Sequence, residues 1–317
     1  MFNLSEKAAI KINDLLVFDR EKIIEIIKKN QALFKDLVLD YSPSRHTAYG
    51  YNQFGHLIKI SYKNDLIEKI VLVKERSNLL RKKLIVSYDG SGFYGFQSQS
   101  KHRTIQGEIT KVINEINQSE GLIQGASRTD THVHAYEQVL HFDTSLDISN
   151  EKWVEVLNHQ LPNDILVKVI EDVHPLFHSR YDVYKKKYVY KIYLSERNPF
   201  LINYYHFEKT LDVELMKENI KHLIGTHDFT SFSKSVVEDP FRTVYQANIN
   251  IKDDILYIEI EGNGFLRYMV RIIVEYLLKL GKNQSTKPIK EVLALKNRKH
   301  TNSMAKAEGL YLERILY

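Results

Sequence analysis

The run Gly125-Ala126-Ser127-Arg128-Thr129-Asp130-Thr131-His132-Val133-His134-Ala135 gathers an arginine, an aspartate and two histidines among small residues, between two apolar stretches. Small residues let a large ligand approach the backbone, and an Asp or Arg in such a loop stays partly desolvated, which is costly unless it is used. The plainer alternative is an Asx-type turn in which Asp130 only bonds nearby backbone N–H groups. A third is a metal site. On an extended strand Asp130, His132 and His134 would point the same way, with His141 further along, and such ligands bind zinc or iron. Spacing alone leaves the three readings open.

Other segments carry chemistry more weakly. Gly90, Gly92 and Gly95 form a glycine-rich cluster, but no Lys-Ser/Thr follows at the spacing a phosphate loop requires. Lys185-Lys186-Lys187 directly precede Tyr188; taken alone, a charge run of this kind is a solvated face. Arg271 and Glu275 are spaced to pair on one helix face.

These residues need elements to position them. Lys83–Tyr88 reads as an apolar strand that runs into Asp89-Gly90-Ser91-Gly92. Thr104–Asn117 has helical spacing through Ile105, Ile109, Val112, Ile113 and Ile116, with Thr104 as N-cap. Trp153–His159 is helical and stops before Pro162. Ile165–Ile170, Tyr181–Tyr193, Val244–Ile251 and Ile255–Glu261 read as strands, the last two joined by a turn at Asp253-Asp254. A long helix follows over Phe265–Leu280, closed by Gly281 at its C′ position. Ahead of all this, apolar positions from Ile23 to Val38 recur at helical spacing between Asp19 and Asp40. Leu57–Tyr62 and Ile67–Lys74 then suggest a hairpin across Lys63, Asn64 and Asp65.

The order predicts an α+β protein: a small N-terminal α+β appendage over 1–80, then two similar α/β halves, 81–180 with the chemistry-bearing loop and 181–317. A length of 317 residues, 43% of them hydrophobic and 27% charged, is the mixture of a globular chain able to bury a sizeable core. The absence of cysteine excludes disulfide scaffolds, thiolate metal sites and cysteine nucleophiles. No apolar run reaches the roughly 18 residues that span a bilayer, and the N-terminus lacks a secretory layout, so the cytoplasm is the expected compartment. Forty-five Lys+Arg against 40 Asp+Glu, with 20 Tyr, 14 Phe and one Trp, permit a nucleic-acid partner without establishing one.

Arg128-Thr129-Asp130 followed by Val133-His134-Ala135 resembles the active-site motif of the TruA family of tRNA pseudouridine synthases. Seven further segments follow in that family's order. They are Tyr88-Asp89-Gly90 with Tyr94-Gly95-Phe96-Gln97; Thr104-Ile105-Gln106-Gly107-Glu108; Leu157-Asn158 with Leu161-Pro162 and Asp164-Ile165; and Phe177-His178-Ser179-Arg180 with Tyr188-Val189-Tyr190. Asp228-Phe229-Thr230-Ser231-Phe232 with Arg242, Gly264-Phe265-Leu266-Arg267 with Met269-Val270-Arg271, and Gly309-Leu310-Tyr311-Leu312 complete the series. The likeness covers about 82–317.

The resemblance implies a pseudouridine synthase fold: a mixed central sheet from two similar halves, flanked by helices, with the active-site cleft between them. It implies a homodimer and an RNA substrate, tRNA first, with uridines on the 3′ side of the anticodon arm (positions 38, 39 and 40) isomerised to pseudouridine. It assigns Asp130 as the catalytic aspartate, Arg271 as its buried partner and Tyr188 as the ring that stacks on the extruded uracil. Arg128 and Arg267 fall at RNA-facing positions, and beside a stacking tyrosine Lys185, Lys186 and Lys187 suit a phosphate track. No cofactor or metal is implied, because the isomerisation is redox-neutral and consumes no nucleotide.

Two residues depart from the family loop, which usually carries glycine at Ser127 and at His132. Should either position have positive φ, a Cβ there costs about 1–2 kcal/mol, although histidine enters the left-handed region more readily than most residues. These departures and the appendage keep other readings open: a relative acting on another RNA such as ribosomal RNA, a catalytically silent RNA-binding protein, or the metal enzyme. In the appendage an added RNA-binding surface and a plain scaffold extension are equal alternatives.

Overall fold

The computed structural model describes residues 79–121, 123–173, 177–235, 237–285 and 287–317, together with the backbone of four strands within 40–74. The chain forms two compact units, Met1–Leu80 with His174–Phe177, and Arg81–Val173 with His178–Tyr317.

In the first unit β1 (Asp40–Ser42), β2 (Thr47–Tyr51), β3 (Leu57–Lys63) and β4 (Leu66–Lys74) form an antiparallel meander in chain order. The expected hairpin is present as β3–β4, closing at Lys63 opposite Leu66. The helix expected over Asp19–Asp40 lies outside the described residues, apart from Asp40, which opens β1.

The second unit is α+β, as expected. Its strands are β5 (Leu80–Tyr88), β6 (Gln124–Gly125), β7 (His134–Thr144), β8 (Ile165–Val173), β9 (Lys185–Tyr193), β10 (His206–Phe207), β11 (Gly225–Asp228), β12 (Phe241–Lys252), β13 (Ile255–Gly262) and β14 (Leu310–Leu316). The helices are α1 (Ile105–Asn117), α2 (Asn150–Gln160), α3 (Val213–Ile220), α4 (Met269–Gly281) and α5 (Ile289–Leu295). One mixed sheet runs β11-β12-β13-β9-β14-β7-β5-β8, with β10 added to β9 and β6 to β7. The strands of the two halves meet at β14, which pairs antiparallel with β9 and parallel with β7.

Local chemistry accounts for most of these elements. The Thr104 hydroxyl accepts from Gly107 N at 3.2 Å and starts α1, whose Ile105, Ile109, Val112 and Ile113 are buried. Asp253 and Asp254, at φ 51° and 59°, make the two-residue turn with left-handed residues that matches the twist of the hairpin strands β12 and β13. Helix α4 is apolar almost all round and is buried along most of its length, so it is a core helix.

Three expectations are corrected. Strand β9 begins at Lys185 rather than Tyr181, because Tyr181 N and Asp182 N both donate to His178 O and close a turn. The long helix begins at Met269 rather than Phe265, since Tyr268 sits in the left-handed region at φ 62°. Gly281 belongs to the last turn of α4 and is not its left-handed stop. A Cβ there would lie 2.7 Å from Met216 Sδ, so the glycine permits close approach to α3, and Asn283 takes the positive φ of 56°. Strands β7 and β14 and helices α3 and α5 did not emerge from periodicity. Strand β7 is buried on both faces over Gln138–Phe142, which erases alternation, and α3 and α5 are too short to show a clear period. Among the described residues no helix is long and apolar enough to cross a membrane.

Leu312 of β14 is fully buried and pairs with Tyr188 on one side and Ala135 on the other. Leu312→Ala is expected to destabilise the second unit by about 2–5 kcal/mol, read as a lower urea midpoint with unchanged m-value.

Candidate active site

Asp130 lies in the loop between β6 and β7, and this loop is held from three sides. The glycine-rich turn after β5 packs against it, backbone on backbone. Phe96 N donates to Thr129 O at 3.0 Å, and His132 N to Phe93 O at 3.3 Å. A Cβ on Gly90 would lie 2.1 Å from Val133 O, and one on Gly95, at φ +90°, 2.9 Å from Thr129 O. These two glycines let two loops touch. From inside, the fully buried Gln138 clamps Ser127, accepting from its N at 3.2 Å and donating to its O at 2.7 Å. Buried Tyr88 shares a 2.7 Å hydrogen bond with Thr129 Oγ1. From β9, Lys186 Nζ donates to Ala126 O at 2.7 Å, and Tyr188 Oη shares a 2.7 Å hydrogen bond with Ser127 Oγ.

The two departures in this loop fare differently. His132 occupies the left-handed region at φ 64°, in the turn closed by Val133 N donating to Asp130 O. Its Nδ1 reaches Ser91 O at 2.8 Å, which offsets part of the strain. Ser127 has no positive φ, so its Cβ carries no such cost.

The turn at Thr131-His132 also disposes of the shared strand face on which a metal site depended. Asp130 turns to Arg271, His132 to Ser91 O, and His134 lies between Gly90 N at 3.1 Å and Asn203 O at 2.8 Å. Among the described residues no group of three or more His, Cys, Asp or Glu side chains could hold a metal.

Opposite the loop stands α4. Arg271 Nη1 donates to Asp130 Oδ2 at 3.3 Å, and Nε donates to Ala305 O at 2.8 Å. Arg271 sits in the first turn of α4, where the helix dipole disfavours a cation, so a facing carboxylate relieves it. The i,i+4 alternative with Glu275 is not what forms; the guanidinium turns to Asp130 instead. Burial pushes the Asp130 carboxyl above the ordinary aspartate range; the Arg271 charge opposes this most, then Arg267 and Lys234.

Asp130, Arg271 and Tyr188 line one cleft of about 680 Å³, within the ~300–1,000 Å³ of ligand pockets. Tyr188 is 8% exposed, and the Phe265 ring meets it edge-on at 5.2 Å and 89°. Burial pushes its phenol up to about 12, so it stays protonated at neutral pH. Arg128 and Arg267 are exposed at the cleft, and the Arg267 guanidinium lies 5.1 Å from the Tyr268 ring centroid. Strand alternation and neighbouring glutamates divide the lysine run: Lys185 pairs with Glu261 at 2.7 Å and Lys187 with Glu259 at 2.9 Å, while Lys186 turns into the cleft. Burial and the charge of Arg180 lower Lys186 to about 8.

The family profile described as tRNA pseudouridine synthase matches residues 84–182 and 220–317; both segments contribute to the cleft, while Lys186 and Tyr188 lie between them. The chain belongs to the tRNA pseudouridine synthase family. It is 42% identical over 242 residues to tRNA pseudouridine synthase A of Anoxybacillus flavithermus, covering 75% of this chain and 98% of that protein. It is likewise 42% identical over 243 residues to tRNA pseudouridine synthase A of a Geobacillus species, at the same coverage. Identity is 43% over 239 residues to tRNA pseudouridine synthase A 2 of Bacillus anthracis, covering 74% and 98%. The profile match begins at residue 84, so Met1–Leu80 of the first unit stand outside the part matched by this synthase family.

Several residues in or around the cleft were not singled out as site residues from the sequence. Gln138 had a readable signal, an amide directly before the apolar Val139-Leu140. Arg180 lay inside a quoted motif without a role. Lys234 and Phe265 reach the site only through the fold, and no sequence signal marked Lys234.

Because the folded protein holds the Asp130 proton more tightly than the unfolded chain, ionising this group costs stability. That cost is absent below the ordinary aspartate range and is fully incurred above the raised folded value. A carbon-13 carboxyl titration is expected to place Asp130 above 3.8 and to move it higher still in Arg271→Leu; an unchanged midpoint in the variant would contradict the pairing.

Proposed function

We propose that the protein isomerises uridine to pseudouridine in tRNA, with Asp130 as the catalytic aspartate. What carries the reading is the Asp130 carboxylate paired with Arg271 in a cleft that also contains a stacking ring, Tyr188. The target uridine leaves its stack, at a cost of a few kcal/mol that protein contacts repay, and enters the cleft beside the Tyr188 ring. The Asp130 carboxylate attacks the ring or the sugar carbon, and the bond it forms breaks again before the product leaves, which restores the carboxylate. The N1–C1′ bond breaks, the base turns over, C5 bonds to C1′, the proton leaves C5 and N1 gains one. Atoms and electrons balance without a cofactor.

Arg271 keeps Asp130 ionised and fixes its direction, since a guanidinium anchored at Ala305 O has little freedom. Tyr188, protonated and held, offers a face for stacking and a hydroxyl for proton movement. Arg128, Arg267 and Lys186 supply positive charge toward the RNA backbone. Lys185 and Lys187 belong to the same reading more weakly, their charge being matched by Glu261 and Glu259. His132 is accommodated by its bond to Ser91 O and Ser127 by its own geometry, which favours an active enzyme over a silent binder. In finer detail, the family resemblance supports uridines on the 3′ side of the anticodon arm, a homodimer and a cytoplasmic setting.

Asp130→Ala is expected to abolish pseudouridine formation on unmodified tRNA while tRNA binding changes less than about threefold, because most affinity resides in phosphate contacts. Full turnover in that variant would remove Asp130 from the chemistry. In the acid limb of kcat against pH, Arg271→Leu is expected to move the midpoint upward and to lower kcat at neutral pH by about 10²–10³, the scale of a lost charge-stabilising group.

A further inference from the structure

We infer that the Ser127 hydroxyl is a positioning group for Tyr188: it holds the phenol of the cleft in one orientation, so that the ring is already set when the base arrives. This inference rests on the reading of the cleft as a uridine-isomerising site.

A buried phenol needs a hydrogen-bond partner, and Tyr188 Oη shares its 2.7 Å bond with Ser127 Oγ. The serine is a fixed post. Its backbone N and O are both held by the amide of Gln138, which is fully buried, and the preceding carbonyl, Ala126 O, receives Lys186 Nζ at 2.7 Å. The ring of Tyr188 is caught a second time by the edge-on Phe265 ring at 5.2 Å. One contact acts at the hydroxyl and one on the ring, which together define both tilt and rotation. Lys186 and Tyr188 are alternate residues of β9, so both hydrogen bonds leave the same strand face and land on adjacent residues of the Asp130 loop.

The consequence is specific to a side-chain hydroxyl at position 127, where glycine could not hold the phenol. Burial keeps Tyr188 protonated at neutral pH, so the pair has two hydroxyl protons to place. One lies between the two oxygens, and the other is available to the cleft that both residues line. Ring orientation, once preset, need not be ordered in each turnover, so the benefit falls on kcat rather than on RNA affinity.

The test is a kinetic cycle on unmodified tRNA with Ser127→Ala, Tyr188→Phe and the double variant. Ser127→Ala is expected to lower kcat about tenfold, the scale of one lost hydrogen bond, with KM within about threefold. Added to Tyr188→Phe, which has no hydroxyl left to hold, the same change is expected to alter kcat less than about twofold. Ser127→Thr, which keeps an Oγ, is expected to recover most of the loss. Independently of turnover, ring-labelled tyrosine NMR is expected to show slow flipping of Tyr188 in the wild type and faster flipping in Ser127→Ala or, should that variant fold poorly, Ser127→Gly. Unchanged kcat in Ser127→Ala, an equal loss in both backgrounds, or unchanged ring flipping overturns the inference. A wild-type protein that forms no pseudouridine overturns instead the reading of the cleft on which it rests.

Discussion

The site depends on one ion pair of unequal character. Asp130 is half-buried, so water stabilises its charge less than it would at the surface, and Arg271, the largest of the opposing influences, is the group that most favours the carboxylate. Arg271 in turn stands in the first turn of a core helix, where the local dipole works against a cation. Each member is therefore poorly placed alone and well placed together. That is the arrangement expected of a carboxylate that stays ionised in a half-buried cleft.

The pair is useful only because its backbone supports are stiff. On the Asp130 side, Gly90 and Gly95 bring one loop against another at distances that leave no room for a Cβ. Gln138, Tyr88 and Lys186 then tie down Ser127, Thr129 and Ala126 of the same loop with buried or part-buried hydrogen bonds. A loop of this length with free backbone groups would be mobile; with its polar groups satisfied inside the protein it behaves as part of the sheet. Strand β14 completes the frame. At Leu312 its backbone partners are Ala135, just past the Asp130 loop, and Tyr188, the ring of the cleft. The spacing between carboxylate and ring is thus set by one strand width on either side of a single buried residue.

Much of this was legible in the sequence where the governing physics is local. The N-cap of Thr104, the Asp253-Asp254 turn, the hairpin β3–β4 and the strand over Lys83–Tyr88 depend on neighbours a few residues away, and the structure agrees with each. Reading failed where a residue answers to distant partners. Gly281 looked like a helix stop because glycine often is one, yet Met216 of another helix decides its role. The lysine run looked like a uniform cationic strip, yet Glu259 and Glu261 on β13 divide it. His132 and His134 looked like alternating ligands, yet one left-handed residue between strand and loop sends them to different partners.

Family membership, the order of most elements and the candidate Asp130 were legible along the chain, since capping and turn chemistry are local and an eight-segment motif series carries the family resemblance. The meeting of Asp130 with Arg271, 141 residues apart in sequence, and of Ser127 with Tyr188, 61 apart, does not follow from them. These contacts exist because the last strand inserts at the centre of the sheet, between β9 of one half and β7 of the other. No local propensity encodes that insertion. It is settled by which pairing buries the most apolar surface while leaving every backbone group of the sheet a partner, and only the folded chain has that choice to make.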